Sequence, residues 1–455
     1  MSFPKYPAYK DSGVEWLGEV PEHWLVKRYK QVFSERGERS LDGSEELMSV
    51  SAYYGVKPRA ETLNEGDHLS RADSLEGYKI CRENDLVMNI MLAWNRGLGF
   101  AWQHGIVSPA YSVFSVTDGS IPKYLDYLVR TDEMTRYFKA YSAGVIDSRL
   151  RLYPETFGRL YAAIPPVVEQ TQIARFLDHE TARIDALIEE QQRLIELLKE
   201  KRQAVISHAV TKGLDPSVPM KDSGVEWLGE VPAHWEIGTL RWYATIQGGI
   251  AKGKDYEGQE TITLPYLRVA NVQSGFIDLS EVKEISVLES EVDRYSLRSG
   301  DVLMNEGGDN DKLGRGAVWY GQIEPCLHQN HVFAIRPNPS LLPEWLAAFT
   351  QSESARAYFF LNSKQSTNLA SISASNVMSL PLLLPEVAEQ QAILEYLAQD
   401  WMSHEELVSV ASSTVELLQE RRSALISAAV TGKIDLRGWQ PPAGTPAPVR
   451  EQETV

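Results

Sequence analysis

Three clusters in the first third of the chain gather cations, two of them beside aromatic rings. Tyr53, Tyr54, Lys57 and Arg59 surround the turn at Gly55, and Asn89, Trp94, Asn95 and Arg96 lie at and after the end of the apolar run Asp85-Leu86-Val87-Met88-Asn89. Arg149 and Arg151 flank Leu150, shortly after Gly144. Base edges are read by side-chain donors and acceptors, while phosphates are held by Lys, Arg or amide donors, so these residue types suit a loop that enters a nucleic-acid groove. A later stretch holds counterparts: Lys252 and Lys254 among glycines, Lys312 and Arg315 in GGDNDKLGRG, and Lys364-Gln365-Ser366-Thr367-Asn368. The plainer alternative is that the rings fill a core and the arginines make surface pairs, the commoner fate of any single such residue.

Catalytic patterns are weaker. GGIAKGKD, residues 248–255, matches the phosphate-loop spacing but puts Asp255 where Ser or Thr must hold Mg²⁺, and the next residues, YEGQETITLPYL, do not open a helix. Such a loop is better suited to meeting a DNA phosphate than a nucleotide. Glu281-Val282-Lys283, with Asp255 or Asp278, has the residue types of a Mg²⁺ nuclease site, yet triplets of this kind arise often by chance. No Asn/Asp-Pro-Pro-aromatic adenine-methylation motif occurs, and no glycine-rich strand-to-helix turn for S-adenosylmethionine stands out. The nine histidines are scattered, without HExxH or Cys-x-x-Cys company. No catalytic residue, metal site or cofactor is expected in this chain.

The elements that must position these clusters are legible as a repeat, which has to be sought before anything else. Lys10 to Trp24 reads KDSGVEWLGEVPEHW and Lys221 to Trp235 reads KDSGVEWLGEVPAHW. PPVVEQTQIARFL from Pro165 faces PEVAEQQAILEYL from Pro385, and ELLKEKRQAVISHAVT faces ELLQERRSALISAAVT. The chain is two diverged copies of one unit. Between the matched flanks lie two segments, 25–164 and 236–384, alike only in patches such as Asp85 to Asn89 against Asp301 to Asn305. Trp16, Trp24, Trp227 and Trp235 recur with the repeat. Their fixed spacing suits packing at a helix end or contact with a partner subunit, since readers of different targets should vary.

No Pro or Gly interrupts Val167 to Lys212 or Val387 to Thr431, so each is expected to hold a helix of ~42 residues, about 60 Å at 1.5 Å per residue. Alternating steps of four and three pick out Ile173, Leu177, Ile184, Leu187, Leu194, Leu198 and Val205 in the first helix. In the second they pick out Ile393, Leu397, Leu407, Leu418 and Leu425, with smaller or polar residues between. These are coiled-coil seams, and pairing them buries Leu and Ile side chains worth roughly 1.5–3 kcal/mol each. The duplication favours antiparallel pairing, with Glu180/Asp400 set against Lys201/Arg421 as a registry device. Packing of each helix on its own domain is the alternative.

With 455 residues, 43% hydrophobic and 24% charged, the chain has ordinary globular composition and room for several domains. Its net charge of −17 excludes a polycation that coats nucleic acid indiscriminately. The first 165 residues, at 20 Lys+Arg against 22 Asp+Glu, are nearly balanced, so the acid excess lies elsewhere. Two cysteines, Cys81 and Cys326, allow no disulfide framework and fit a reducing cytosol. No apolar run approaches the ~20 residues of a membrane span, so a cytoplasmic protein is expected.

The GVEWLGEVPEHW-type element, the IPP-VVEQ-type helix entry and the ELL-E-R-A-IS-AVTG-type helix end together resemble the specificity subunits of type I DNA restriction-modification systems, over nearly the whole chain. SAYYGVKPRA at 51–60 and GIVSPAYSVF at 105–114 are similar to one group of target-recognition domains; the second copy has LHQNHVFAIRP instead and must read DNA differently. The resemblance implies a mixed α/β fold with two target-recognition domains, 1–165 and 214–384. Two long helices, 166–213 and 385–435, would separate them as an antiparallel coiled coil about a pseudo-two-fold axis, and 436–455 would be a disordered tail. It implies a non-catalytic subunit that reads a bipartite target, one domain per half-site, with the half-sites on the order of 34 Å apart. The partners it implies are double-stranded DNA, two methyltransferase subunits and, in some systems, two restriction subunits, which would carry S-adenosylmethionine, ATP and Mg²⁺. The opening repeat element would complete the end of the second helix if the termini meet. A self-contained nuclease or methyltransferase with an internal duplication, or a coiled-coil protein adaptor, are the alternatives.

Overall fold

The computed structural model describes residues 3–62, 74–253, 256–308, 313–314, 316–365 and 370–441. Its fold is mixed α/β, with two homologous domains and two long helices, Val167–Lys212 and Val387–Val430, in antiparallel pairing. Each domain is organised on a four-stranded antiparallel sheet. In the first the order is Phe33–Arg36, Tyr111–Val116, Leu86–Asn89, Leu98–Phe100; in the second it is Ala244–Gly248, Val332–Pro337, Val302–Asn305, Gly316–Val318. The two runs matched in sequence occupy the same inner place. They are buried on both faces, which is why they read as continuous apolar stretches instead of alternating ones. Before each lies a buried aspartate held by an arginine: Asp85 by Arg36 at 2.9 Å and Asp301 by Arg336 at 2.7 Å.

Two helices back each sheet, Pro122–Val129 with Asp132–Tyr141 and Pro343–Thr350 with Glu353–Leu361. Proline starts the first of each pair, where its missing N–H costs nothing. The Thr131 and Ser352 hydroxyls cap the second, accepting from Met134 N at 3.2 Å and Ala355 N at 3.1 Å. The domains differ at their rims. The first carries the hairpin Met48–Ser51/Gly55–Pro58, whereas the second carries the longer hairpin Ile262–Leu267/Lys283–Val287 with a short parallel strand, Leu327–His328. Among the described residues no helix is long and apolar enough to cross a membrane.

The chain divides into two compact units, cut after Gln191 and after Ser412 inside both long helices, so each unit holds one domain and half of each helix. In the first unit Ile173, Phe176 and Leu177 share a core with Ala429 and Val430, and Asp185 pairs with Arg422 at 2.8 Å. The helix halves therefore run antiparallel there. In the second unit Ala209 and Val210 share a core with Ile393, and the Arg202 guanidinium lies on the Trp401 ring, which again sets the halves antiparallel.

The repeated element ties each helix start to the other helix's end. Trp24 Nε1 donates to Glu169 Oε1 at 2.9 Å, and His23 Nε2 lies 2.7 Å from Oε2. In the other unit Trp235 Nε1 donates to Glu389 Oε1 at 3.0 Å, with His234 Nε2 at 2.9 Å from Oε2. Both indoles are wholly buried, so they pack and do not stack on bases. The second helix stops at Gly432 (φ +75°), which is packed so close to Pro21 that a Cβ there would lie 2.5 Å from Pro21 Cδ. The Tyr9 hydroxyl donates to the Gly432 carbonyl at 3.1 Å, and Asp435 N to the Pro4 carbonyl at 2.8 Å. The opening element thus completes the end of the second helix.

Three expectations need correction. Of the seam residues, Ile173, Leu177, Ile184 and Ile393 are buried and Leu198, Val205, Leu397, Leu418 and Leu425 are partly covered, but Leu187, Leu194 and Leu407 are 39%, 42% and 54% exposed. Where the domain no longer packs on the helix, one partner helix cannot cover the stripe. A strict seven-residue repeat also drifts about 20° per heptad around an undistorted helix. Among the described residues the registry residues form no ion pairs with one another. Glu180 pairs with His179 and Asp400 with His404, Lys201 and Arg421 are exposed, and the adjacent Arg422 makes the interhelical ion pair with Asp185. Finally, the tail is packed as far as Trp439: Leu436 is buried and Trp439 meets the Phe176 ring edge-on at 5.2 Å. Apolar residues after the helix end complete the core that the opening segment begins; the tail beyond 441 lies outside the described residues.

Replacing Glu169 with Ala leaves the Trp24 N–H buried without an acceptor, and the Tyr6 hydroxyl loses the same carboxylate. Glu169→Ala is expected to lower unfolding free energy by about 3 kcal/mol, the scale of a buried hydrogen bond to a charged group. Glu389→Ala should cost less, since Glu389 is 34% exposed against 5% for Glu169. Denaturant titration of the two variants checks both the size and the order.

Candidate nucleic-acid interface

In the first domain the three sequence clusters are joined into one surface by α-helical side chains lying between them. The Met48–Ser51/Gly55–Pro58 hairpin presents Tyr53, 94% exposed, beside Tyr54 and Lys57, both exposed, with Arg59 half-buried behind. Its tip is held by Arg130, whose Nη2 donates to the carbonyls of Ala52 and Tyr53 at 3.1 Å each, while Nη1 donates to the Leu98 carbonyl at 2.7 Å. Gly55 (φ +78°) and Gly99 allow this: a Cβ on Gly55 would lie 2.9 Å from Arg130 Nη1, and one on Gly99 3.0 Å from Gly55 Cα. Asp126, one helical turn before Arg130, accepts from Phe100 N at 3.0 Å. Burial raises its carboxyl above the ordinary range and lowers the Arg130 guanidinium below its own, and each charge partly offsets the cost for the other.

The second cluster is tied to the third through the next helix. Arg96, in the left-handed region at φ +59°, pairs with Asp132 at the start of that helix. Lys139, two turns further along, lies over the Trp94 ring at 5.1 Å and pairs with Asp147 at 2.8 Å, which reaches the third cluster. Leu152 N donates to the Ile90 carbonyl at 2.9 Å, fastening the loop of Arg149 and Arg151 to the turn after Asn89. Arg149 and Asn95 are exposed and Arg151 half-buried. Tyr53, Tyr54, Lys57, Asn95 and Arg149 therefore stand on one connected rim, with exposed donors and rings.

Two of the expected readers are supports instead. Asn89 is buried, and its Oδ1 accepts from Met91 N at 3.1 Å, which shapes the turn. Trp94 is half-buried and donates to the Met91 carbonyl at 2.8 Å. Asn89 ends its strand and Trp94 lies in the short helical turn that follows, and the polar atom of each is turned back to the backbone of that turn. Arg130 escapes sequence reasoning because nothing local marks an arginine in YLVRTDEM; only the fold brings its donors to three carbonyls.

In the second domain Lys254, Asp255, Lys312, Arg315 and Asn368 lie outside the described residues. Lys364 and Gln365 are exposed and pair with Ala370–Ser371, which pairs in turn with Gly307–Gly308, so the start of the GGDNDKLGRG loop and the Lys364 segment are brought together. Lys252 lines a cavity of about 410 Å³ with Tyr256, Tyr266, Arg268 and Lys283. The segment after His328 links the two places: Asn330 N donates to the Ile250 carbonyl at 3.1 Å, and His331 pairs with Glu306 at 2.6 Å. The Glu281-Val282-Lys283 triplet is closed on itself. Lys283 and Arg268 pair with Glu281 and hold its carboxyl below the ordinary range, and Asp278 caps its own turn at Ser280 N. Among the described residues no group of His, Cys, Asp and Glu is placed to hold a metal ion.

No family model matches the chain. It is 23% identical over 335 residues to the type I restriction enzyme EcoKI specificity subunit of Escherichia coli K12, covering 72% of this chain and 68% of that one. It is 24% identical over 439 residues to the MjaVIII specificity subunit of Methanocaldococcus jannaschii, covering 92% and 94%. Among solved structures it superposes with TM-score 0.64 and 16% identity on a chain of a type I R-M system, covering 90% of this chain and 98% of that one. The HsdS subunit of Thermoanaerobacter tengcongensis superposes with TM-score 0.50 and 16% identity, covering 91% and 98%. These structural likenesses are of fold.

Arg130→Ala removes all three clamps on the hairpin tip. The variant is expected to lose about 2 kcal/mol of stability and to be cut by protease within residues 51–56 before any other site in the first domain. Cleavage elsewhere first would show that the hairpin does not depend on Arg130.

Proposed function

Since its duplicated sequence, fold and relatives agree, the chain belongs to the specificity subunits of type I restriction-modification systems, and we propose that it recognises a bipartite DNA target, one domain for each half-site. The observation that carries this reading is the contrast between copies: residues repeated without change, such as Trp24 and Trp235, are buried in packing, whereas the exposed ring-and-cation rim of the first domain is not matched residue for residue in the second. A reader of two unlike half-sites requires such a division. The chain carries no chemistry of its own; it assembles with the other subunits of the system and positions them on DNA. Two methyltransferase subunits bring S-adenosylmethionine, and restriction subunits, in systems that have them, bring ATP and Mg²⁺.

A net charge of −17 means that sequence-independent attraction to phosphate is weak for the whole chain, so binding relies on local basic groups and on the methyltransferase subunits. DNA binding by the chain alone should be weak and strongly salt-dependent, and tight only in the complex. Salt-titrated binding with and without the methyltransferase separates this from a protein adaptor, for which DNA would not matter.

Methylome sequencing of the host with this gene deleted tests the proposal directly. One bipartite methylation motif should vanish; retention of every motif would overturn the reading. A second expectation concerns the helices. Four residues inserted into each keep the faces near register and add about 6 Å, so the spacer between half-sites should lengthen by on the order of one to two base pairs. An unchanged spacer in the methylated motif would remove the helices as its determinant.

A further inference from the structure

The loop between the Asp132–Tyr141 and Pro154–Arg159 helices turns an aliphatic tip outward: Val145 is 98% exposed and Ile146 54%. The loop is built, not slack. Ala143 and Arg151 exchange both backbone hydrogen bonds at 2.9 Å, and Arg149 N donates to the Ile146 carbonyl at 2.9 Å. Gly144, at φ +149°, packs so closely that a Cβ there would lie 2.7 Å from the Arg149 carbonyl oxygen. Lys139 holds Asp147 and the Ile90 carbonyl holds Leu152 N, so the tip is fixed from both sides. A valine held this firmly yet touching so little has no packing role in the chain itself.

Its neighbours say what would cover it. Arg149 is exposed and Arg151 half-buried on the same loop, and Lys139 joins Asp147 of that loop to the Trp94 ring next to the exposed Asn95. An occupant must be anionic around the cations and apolar at one point between them. The major groove offers that combination at one base: the thymine C5-methyl is the apolar group among the polar base edges. We propose that Val145 reads the methyl of one thymine in the half-site bound by the first domain, with Arg149 contacting the duplex beside it. This rests on the DNA-recognition reading above and adds a base and an atom to it.

The test uses the full complex with its methyltransferase subunits and a duplex bearing its own methylation motif, identified by methylome sequencing. Each thymine of the motif is replaced in turn by deoxyuridine, which removes only the methyl. At one position wild-type affinity should fall about fourfold, the value of one buried methyl or methylene group. Val145→Ser should bind more weakly than wild type on the thymine duplex and be indifferent to deoxyuridine at that position, while Val145→Ile retains the dependence. If wild type is indifferent to every deoxyuridine, or if Val145→Ser keeps the full dependence, the proposal is overturned. It is equally overturned if Val145→Ser leaves the complex on gel filtration, which would make the tip a protein contact. In each of these cases the motif itself still depends on the gene, so the DNA-recognition reading stands or falls separately.

Discussion

One carboxylate at the start of each long helix, buried at Glu169 and partly covered at Glu389, organises its unit. Glu169 and Glu389 each collect an indole N–H and a histidine from a repeated element that is remote in sequence. The residue after each glutamate repeats the device: Gln170 Oε1 accepts from Ile121 N at 2.7 Å and Gln390 Oε1 from Leu342 N at 3.0 Å, which fixes the first backing helix of each domain. A carboxylate removed from water must be satisfied from several sides, so helix entry, repeated element and domain are brought to one arrangement in both copies. That requirement explains why the Glu-Gln pair and the His-Trp pair are kept identical while the residues between the flanks have diverged.

The rigid part ends where the rims begin. In both domains the inner strand and its Asp-Arg pair are common, and the differences lie in the attachments outside the sheet: a short hairpin clamped by Arg130 in the first domain, a longer hairpin and a cavity in the second. Loops can vary on such a scaffold because their ends are fixed by groups that do not vary. The clamp itself is economical. Arg130 satisfies three carbonyls that would otherwise be left at a tight crossing, and two glycines provide the room.

Legibility in the sequence depends on which interactions are local. The duplication, the long helices and the buried tryptophans are legible because identical spacing in two copies separates packing from recognition. Asn89 and Trp94 mislead because type and neighbourhood do not show which way a side chain turns in the connection between two strands, and both turn to the backbone. Arg130 is invisible in the sequence because its partners are 32 to 78 residues away. The heptad stripe is present, but periodicity overstates its burial at Leu187, Leu194 and Leu407, since periodicity describes one helix and coverage depends on the groups that lie against it.

The polar seam illustrates the same limit from the energetic side. Opposite charges at matching heptad positions suggest mutual pairing, yet Glu180 and Asp400 take neighbouring histidines on their own helix, and the interhelical ion pair forms one residue along, between Asp185 and Arg422. Exposed ion pairs contribute at most about 1 kcal/mol, less than burying a single Ile173 or Ile393 against the core. Register therefore follows the apolar ends of the helices, where the domains pack on them, and the charges settle on whichever partners that register leaves within reach.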